Sequence, residues 1–332
     1  MTKEPGRYPA DGALRDKVRF LAQVAGRAPS AHNAQPWACT LVGDELHIGR
    51  HDAYALDAGD PTRRQTALSL AMYIEAFVVA AQRWGIHAHV TCTAQVPGDR
   101  TMAVLHLTEC APARNCPLYR AIWQRHTDRG PYAPLDKPRW LDSLALPDTG
   151  ADTRLFPITD REAAERIGAL TGAGLATALS LPSLRRELAA LVYWHGEPAV
   201  RGMAAEALLP GTERCAMPAS QWFSDHTRPE QAAETVRTVY ATAPGLVMVV
   251  ATRADDPRAW CDAGRTAYRV LLRAAAGGLA HDIQAGPVEV PALAARLAAE
   301  LEPGWRPQIL LRIGHPLAPQ HIGSVRRTVT LE

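Results

Sequence analysis

The sequence predicts an α+β fold made of two pseudo-repeated halves, each with a mixed or antiparallel sheet packed on long apolar helices, plus a lid insertion. Three observations predict it. The stretch AMYIEAFVVAAQRWGIHAHV, starting at Ala71, is apolar nearly all round, and a helix without a polar face must be covered on every side. A second stretch, AYRVLLRAAAGGLAHDI from Ala267, runs the same way. Each ends at a glycine followed by an aliphatic residue, Gly85-Ile86 and Gly278-Leu279, in the manner of a helix C-cap. Each is also flanked by strand-like runs: residues 38–48 and 101–109 around the first, residues 245–253 and 307–314 around the second. The halves are expected over residues 1–115 and 116–332, joined near 111–118, where APARNCPL breaks the pattern.

Taken in order, Val18, Leu21, Ala22, Val24 and Ala25 write one face of a first helix, which Pro29 ends by disfavouring the α region at Ala28. Ser30, His32, Asn33 and Gln35 follow within the loop APSAHNAQPW, residues 28–37. Their donors and acceptors suit the edge of a planar heterocycle. The same residue types also cap helices and brace turns, and the loop alone leaves both uses open. Residues 38–48 then read as two short strands around Gly43-Asp44. Arg63-Arg64, after Asp60-Pro61, reads as a solvated helix start. GAGLAT, residues 172–177, has Thr177 where a dinucleotide fingerprint needs glycine and reads as a small-residue helix.

Composition narrows the class. The chain has 332 residues, 47% of them hydrophobic, enough for a sizeable core. Its 36 Lys and Arg against 34 Asp and Glu leave +2, so no global field would attract nucleic acid or an anionic membrane. The six cysteines show no C-x-x-C spacing and are too sparse for a disulfide framework, which fits a reducing, cytoplasmic setting. Neither the N-terminal stretch nor residues 67–81 reads as a membrane anchor. His87 and His89 share a strand face, but no third ligand stands at useful spacing, and no metal is expected. The G-x-S-x-G and G-x-x-x-x-G-K-[ST] signatures are absent from the sequence.

Four segments in a fixed order carry a resemblance: APSAHNAQPW; RHTDRGPY at residues 125–132 with LDKP at 135–138; residues 260–290, from WCDAGRTAYR to GPVEV; and PQILLRIGHP at 307–316. Together they resemble the FMN-dependent nitroreductase family, and within it the Acg-like branch, in which one chain holds two nitroreductase-like halves. The resemblance implies an FMN-dependent oxidoreductase that takes hydride from NAD(P)H and passes electrons to a nitroaromatic, a quinone or a biosynthetic intermediate. The alternative is a non-catalytic protein that sequesters FMN under a closed lid. It further implies one FMN placed between the halves, with Ser30, Asn33 and Gln35 toward the ring and ribityl chain. Arg125, Thr127, Arg129 and Arg312 would hold the phosphate, and Gln284 and Gly286 would lie in the loop beneath the isoalloxazine. Guanidinium forks and a hydroxyl are what a phosphate dianion calls for.

Two departures stand out: Ala285 precedes Gly286 where the family carries an acidic residue, and Arg312 stands alone where simpler members show a Lys and Arg pair. Residues 181–232 match the halves least well and are expected to form a lid carrying Trp194, Trp222 and Phe223, which either close over the flavin or pin the insertion to the core. An internally duplicated chain is compatible with a monomer or a homodimer.

Overall fold

The computed structural model describes residues 6–143, 151–208, 212–318 and 322–332. Of the expected lid, residues 209–211 lie outside the described residues. The chain divides into two compact units, and the division is not a single cut. Unit 1 is Met1–Arg125, Asp256–Ala276 and Val325–Glu332; unit 2 is His126–Asp255 and Gly277–Ser324.

Unit 1 contains α1 (Leu14–Ala25), β1 (Trp37–Val42), β2 (Glu45–Arg50), α2 (Arg64–Arg83), β3 (Ile86–Cys92), β4 (Thr101–Glu109) and α3 (Pro117–Gln124), numbered in chain order. One later helix, α10 (Pro257–Ala276), joins them. The strands form one sheet, β1-β2-β4-β3, antiparallel throughout. Gly43 makes the β1–β2 turn at φ +61°, a backbone state that costs glycine nothing. Asp60 caps α2, its two carboxylate oxygens accepting the N–H groups of Gln65 (3.0 Å) and Thr66 (2.7 Å). Beyond that cap α2 is buried along almost its whole length, as its sequence requires.

The two long apolar helices pack on each other inside unit 1. Small residues permit the approach: a Cβ built on Gly264 of α10 would lie 2.6 Å from the Ala71 Cβ and 2.7 Å from the Leu68 carbonyl oxygen of α2. Gly264→Ala is therefore expected to destabilise unit 1 by about 1–3 kcal/mol, the usual cost of overpacking, although alanine is the better helix former. The check is the midpoint of urea unfolding; a midpoint at or above wild type would contradict this packing. The only charge in the middle of α2, Glu75, is 1% exposed and bridges Arg265 (2.9 Å) and Arg269 (2.5 Å) of α10.

Unit 2 contains α4 (Lys137–Ser143), β5 (Thr153–Ile158), α5 (Arg161–Ser180), α6 (Pro182–Ala189), β6 (Val192–Tyr193), β7 (Met203–Ala204), α7 (Ala205–Leu208), α8 (Ala219–His226), α9 (Pro229–Thr242), β8 (Leu246–Thr252), β9 (Ala280–Gln284), α11 (Gly286–Glu289), α12 (Pro291–Ala298) and β10 (Arg306–Gly314). Its main sheet, β5-β8-β10-β9, is also antiparallel throughout. One face of that sheet buries Phe156, Val247, Val249 and Leu310 against Ile167 and Leu170 of α5 and Leu297 of α12. The GAGLAT stretch is the interior of α5, and its glycines admit neighbours. Gly168 faces the Tyr240 ring, Gly172 the Ala233 carbonyl and Gly174 the backbone of Gly286.

Within the insertion the aromatics meet one another. Trp194 is 1% exposed, donates its indole N–H to the Met217 carbonyl (2.7 Å) and lies 5.4 Å from the Trp222 ring. Phe223 is buried as well, and Arg185 ties α6 to the end of α8 through the carbonyls of Ser224 (2.5 Å) and Thr227 (2.8 Å). Trp194 and Phe223 are thus buried, Trp194 against other residues of the insertion. Among the described residues no single helix is long and apolar enough to cross a membrane.

Candidate cofactor site

Unit 1 carries the APSAHNAQPW loop, and its backbone is unusual. His32, Asn33 and Gln35 stand at φ +49°, +54° and +56°, three non-glycine residues in the left-handed region within four positions. Such residues cost of order 1 kcal/mol each and persist only when their surroundings hold them. Two sets of contacts do so here. From within, the Ser30 hydroxyl accepts the Gln35 N–H (2.9 Å) and the Ser69 hydroxyl accepts that of Ala31 (3.2 Å).

From the C-terminal tail, the Val325 carbonyl accepts the Asn33 amide (3.1 Å) and Arg326 donates to the Asn33 Oδ1 (2.7 Å). Arg327 donates its backbone N–H to the Gln35 Oε1 (2.9 Å) and its Nε to the Gln35 carbonyl (3.0 Å). It also donates to the Trp37 carbonyl and lies over the Tyr54 ring, 4.6 Å from its centroid. Gln35 is fully buried. Ser30, Asn33 and Gln35 are thus engaged in building the loop and seating the tail, the bracing role that their residue types left open.

The same tail completes a group of cations, one buried and two partly buried. Arg125, 7% exposed at the end of α3, donates to the Arg27 carbonyl (3.1 Å), and Arg326 donates to that same oxygen (3.3 Å). Arg27 itself lies over the Trp123 ring at 4.8 Å, with its Nε buried and lacking a hydrogen-bond acceptor. Tyr268 of α10 lies in the field of all three guanidinia, which oppose the rise that burial imposes on its hydroxyl. The Arg27 guanidinium is held below its ordinary value first by burial and then by the like charge of Arg125; burial does the same to Arg125. Like charges brought together out of water are a standing cost that an anion would relieve. Arg27, Arg326 and Tyr268 carry no role in the four motifs of the sequence; the one signal for them there is the adjacent basic pair Arg326-Arg327 beyond the last strand.

The remaining positions lie in unit 2. Thr127 pairs with His281 of β9, its hydroxyl 3.5 Å from the His281 Nε2. Arg129 donates to the Ala207 carbonyl (3.3 Å) and to the Met203 sulfur (3.7 Å). Arg312, in the middle of β10, is 1% exposed. It donates to the Gly130 carbonyl (2.6 Å), lies 3.7 Å from the Asp282 carboxylate, and has the Tyr132 ring at 4.8 Å and that of Tyr240 at 5.4 Å. Gln284 hydrogen-bonds Asp282, whose carboxyl is raised above its usual range by burial, against the pull of Arg312 and Arg129. Gly286 begins α11, and its missing side chain admits α5, whose Gly174 stands against it. Gly286 is therefore used for packing inside unit 2, while Arg312, held by Gly130, keeps a buried Nε without a hydrogen-bond acceptor.

No family model matches the chain. Among curated proteins it is similar to two from Mycobacterium tuberculosis strain H37Rv that bear the name "Putative NAD(P)H nitroreductase". Rv3131 is 27% identical over 303 residues, 90% of this chain and 85% of that protein. Acg is 26% identical over 313 residues, 92% and 90% respectively. Among solved structures, a nitroreductase with bound FMN from Bacteroides fragilis superposes with a TM-score of 0.40 at 12% identity, over 64% of this chain and 97% of that one. Another with bound FMN, from Desulfitobacterium hafniense, gives 0.37 at 14% identity, over 61% and 91%. The chain is an α+β protein, similar over nine tenths of its length to curated proteins that bear the name NAD(P)H nitroreductase. Within that class the resemblance to the Acg-like branch, drawn from four motifs, is borne out by Acg itself.

Proposed function

We propose that this chain is an FMN-dependent NAD(P)H oxidoreductase of the nitroreductase type, acting on a small acceptor such as a nitroaromatic, a quinone or a biosynthetic intermediate. The observation that carries the reading is the group of guanidinia in unit 1: Arg125, which is buried, with the partly buried Arg27 and Arg326, the Arg27 Nε lacking an acceptor. A phosphate dianion fits it in charge and in hydrogen-bonding capacity. The NAD(P)H nitroreductase names of the curated relatives support the same chemistry.

When bound, FMN supplies two-electron transfer between a nicotinamide and the acceptor. The chain's part is to hold and shape. Arg27, Arg125 and Arg326 bind the phosphate, and Arg327, Asn33 and Gln35 fix the strained loop beside them. On the same reading Ser30, Thr127, Arg129, Gln284, Gly286 and Arg312 are the further proposed cofactor positions. No side chain is required as a strong acid or base.

The test is the visible spectrum of the purified protein with added FMN, recorded anaerobically before and after NADPH and then NADH. Bound flavin that bleaches supports a reductase. Bound flavin that stays oxidised with both nicotinamides overturns the reductase in favour of sequestration, and a protein that retains no flavin overturns the cofactor.

A further inference from the structure

The segment Val325–Glu332 lies in unit 1, and little apolar packing holds it there. Burial alternates along it: Arg327 and Val329 are buried, whereas Thr328 and Thr330 are exposed. Val329 is the one apolar side chain of the segment that is fully buried; a Cβ on Gly26 would stand 3.3 Å from its Cγ2.

The other ties are polar. The Gln23 amide of α1 grips both backbone groups of Val329, donating to its carbonyl (2.6 Å) and accepting its N–H (3.2 Å). Arg15 donates to the Leu331 carbonyl (3.0 Å). Two backbone bonds join the segment to β1, from the Glu332 N–H to the Cys39 carbonyl (3.0 Å) and from the Leu41 N–H to the Glu332 carbonyl (2.9 Å). At the opposite end Arg326 and Arg327 engage Asn33, Gln35 and Trp37. A segment with one apolar anchor and an exposed face belongs to the least stable part of a fold, and it opens without the rest unfolding.

We propose that Val325–Glu332 is a releasable strap that completes the candidate anion site when seated and dismantles it when lifted, a step that rests on reading Arg27, Arg125 and Arg326 as that site. Seated, the strap brings Arg326 to the Arg27 carbonyl that Arg125 also meets, and it holds the 28–37 loop in its left-handed conformation. Lifted, it takes Arg326 away and frees His32, Asn33 and Gln35 to relax. Seating and binding are then coupled, and the coupling is reciprocal: the factor of affinity that lifting costs the anion is the factor by which the bound anion favours seating. One charge-assisted hydrogen bond from Arg326 sets that factor at roughly tenfold to a hundredfold. Gln23 is the latch, a positioning residue that acts on the site through Val329.

The test is hydrogen exchange of the full chain at the N–H groups of Arg327, Val329 and Glu332, which the seated strap donates to Gln35, Gln23 and Cys39. The three are expected to exchange through one local opening, slowed by roughly tenfold to a hundredfold when FMN is saturating. Arg326→Ala should abolish that slowing. Gln23→Ala, which removes two neutral hydrogen bonds from the strap, should speed exchange without FMN by roughly tenfold and keep the slowing by FMN. Exchange unchanged by bound FMN, slowing that survives in Arg326→Ala, or strap amides that exchange only with global unfolding would each overturn the strap. If the visible spectrum shows no bound FMN, inorganic phosphate replaces it as the probe. Slowing by phosphate then supports the strap while the cofactor reading falls, and no slowing by either anion overturns the strap.

Discussion

Replacing Arg125 with alanine is expected to weaken FMN binding by roughly tenfold to a hundredfold while the chain keeps its fold. A hydrogen bond between charged partners contributes roughly 1.5–3 kcal/mol, and each 1.4 kcal/mol is a factor of ten in affinity. The fold should survive because removing Arg125 takes one like charge away from Arg27 and relieves the cost of burying its own guanidinium. Fluorescence titration of the apoprotein with FMN reads the affinity, and circular dichroism reads the fold. Arg253 provides the comparison: it lies over the Trp305 ring at 4.0 Å and donates to the Pro303 carbonyl (3.2 Å), both in unit 2. Arg253→Ala should leave FMN affinity unchanged, and equal losses from the two variants would sink the phosphate assignment. Arg129→Ala, which the sequence motif also marks as a phosphate ligand, tests the unit 2 positions separately.

That experiment bears on what was legible in the sequence. The long helices α2 and α10 and the strands β1, β2, β4, β8 and β10 could be read directly, because their apolar patterns are set by local backbone geometry. The membership of α10 could not. It follows β8 of unit 2 along the chain yet packs in unit 1, and periodicity says that a face is covered without saying by what. The loop at residues 28–37 was legible as special, since four polar residues crowd between two prolines. Its chemistry was not, because a side chain that braces a strained turn is of the same type as one that meets a heterocycle. Arg326 and Arg327 reach that loop from about 290 residues away along the chain, as in the bond from Arg327 to Gln35, and no spacing rule spans such a distance. Arg312 shows the converse: a guanidinium in the right motif that donates to Gly130 and is faced by Asp282 and two tyrosine rings.

Glu75→Ala is expected to be among the most damaging single substitutions in unit 1, costing about 3 kcal/mol. Breaking a buried ion pair by removing one partner costs roughly 3–5 kcal/mol, because the other charge is left without compensation. The lower end applies here, since Arg265 and Arg269 keep 25% and 39% of their side-chain surface exposed and can turn their charges toward water. The identity of the replacement separates two causes. Alanine leaves both a cavity and two uncompensated cations, whereas leucine or methionine fills the space and leaves only the cations. If the carboxylate matters mainly as an ion, Glu75→Met should be nearly as unstable as Glu75→Ala in urea, and added salt should recover part of the loss by screening Arg265 from Arg269. If filling matters more, Glu75→Met should regain most of the stability, because Arg265 and Arg269 can carry their charges into water. The apolar pattern that made α2 recognisable favours the second result: Ile74, Ala76, Phe77, Val79, Ala80 and Ala81, the helix neighbours of Glu75, are buried apolar residues.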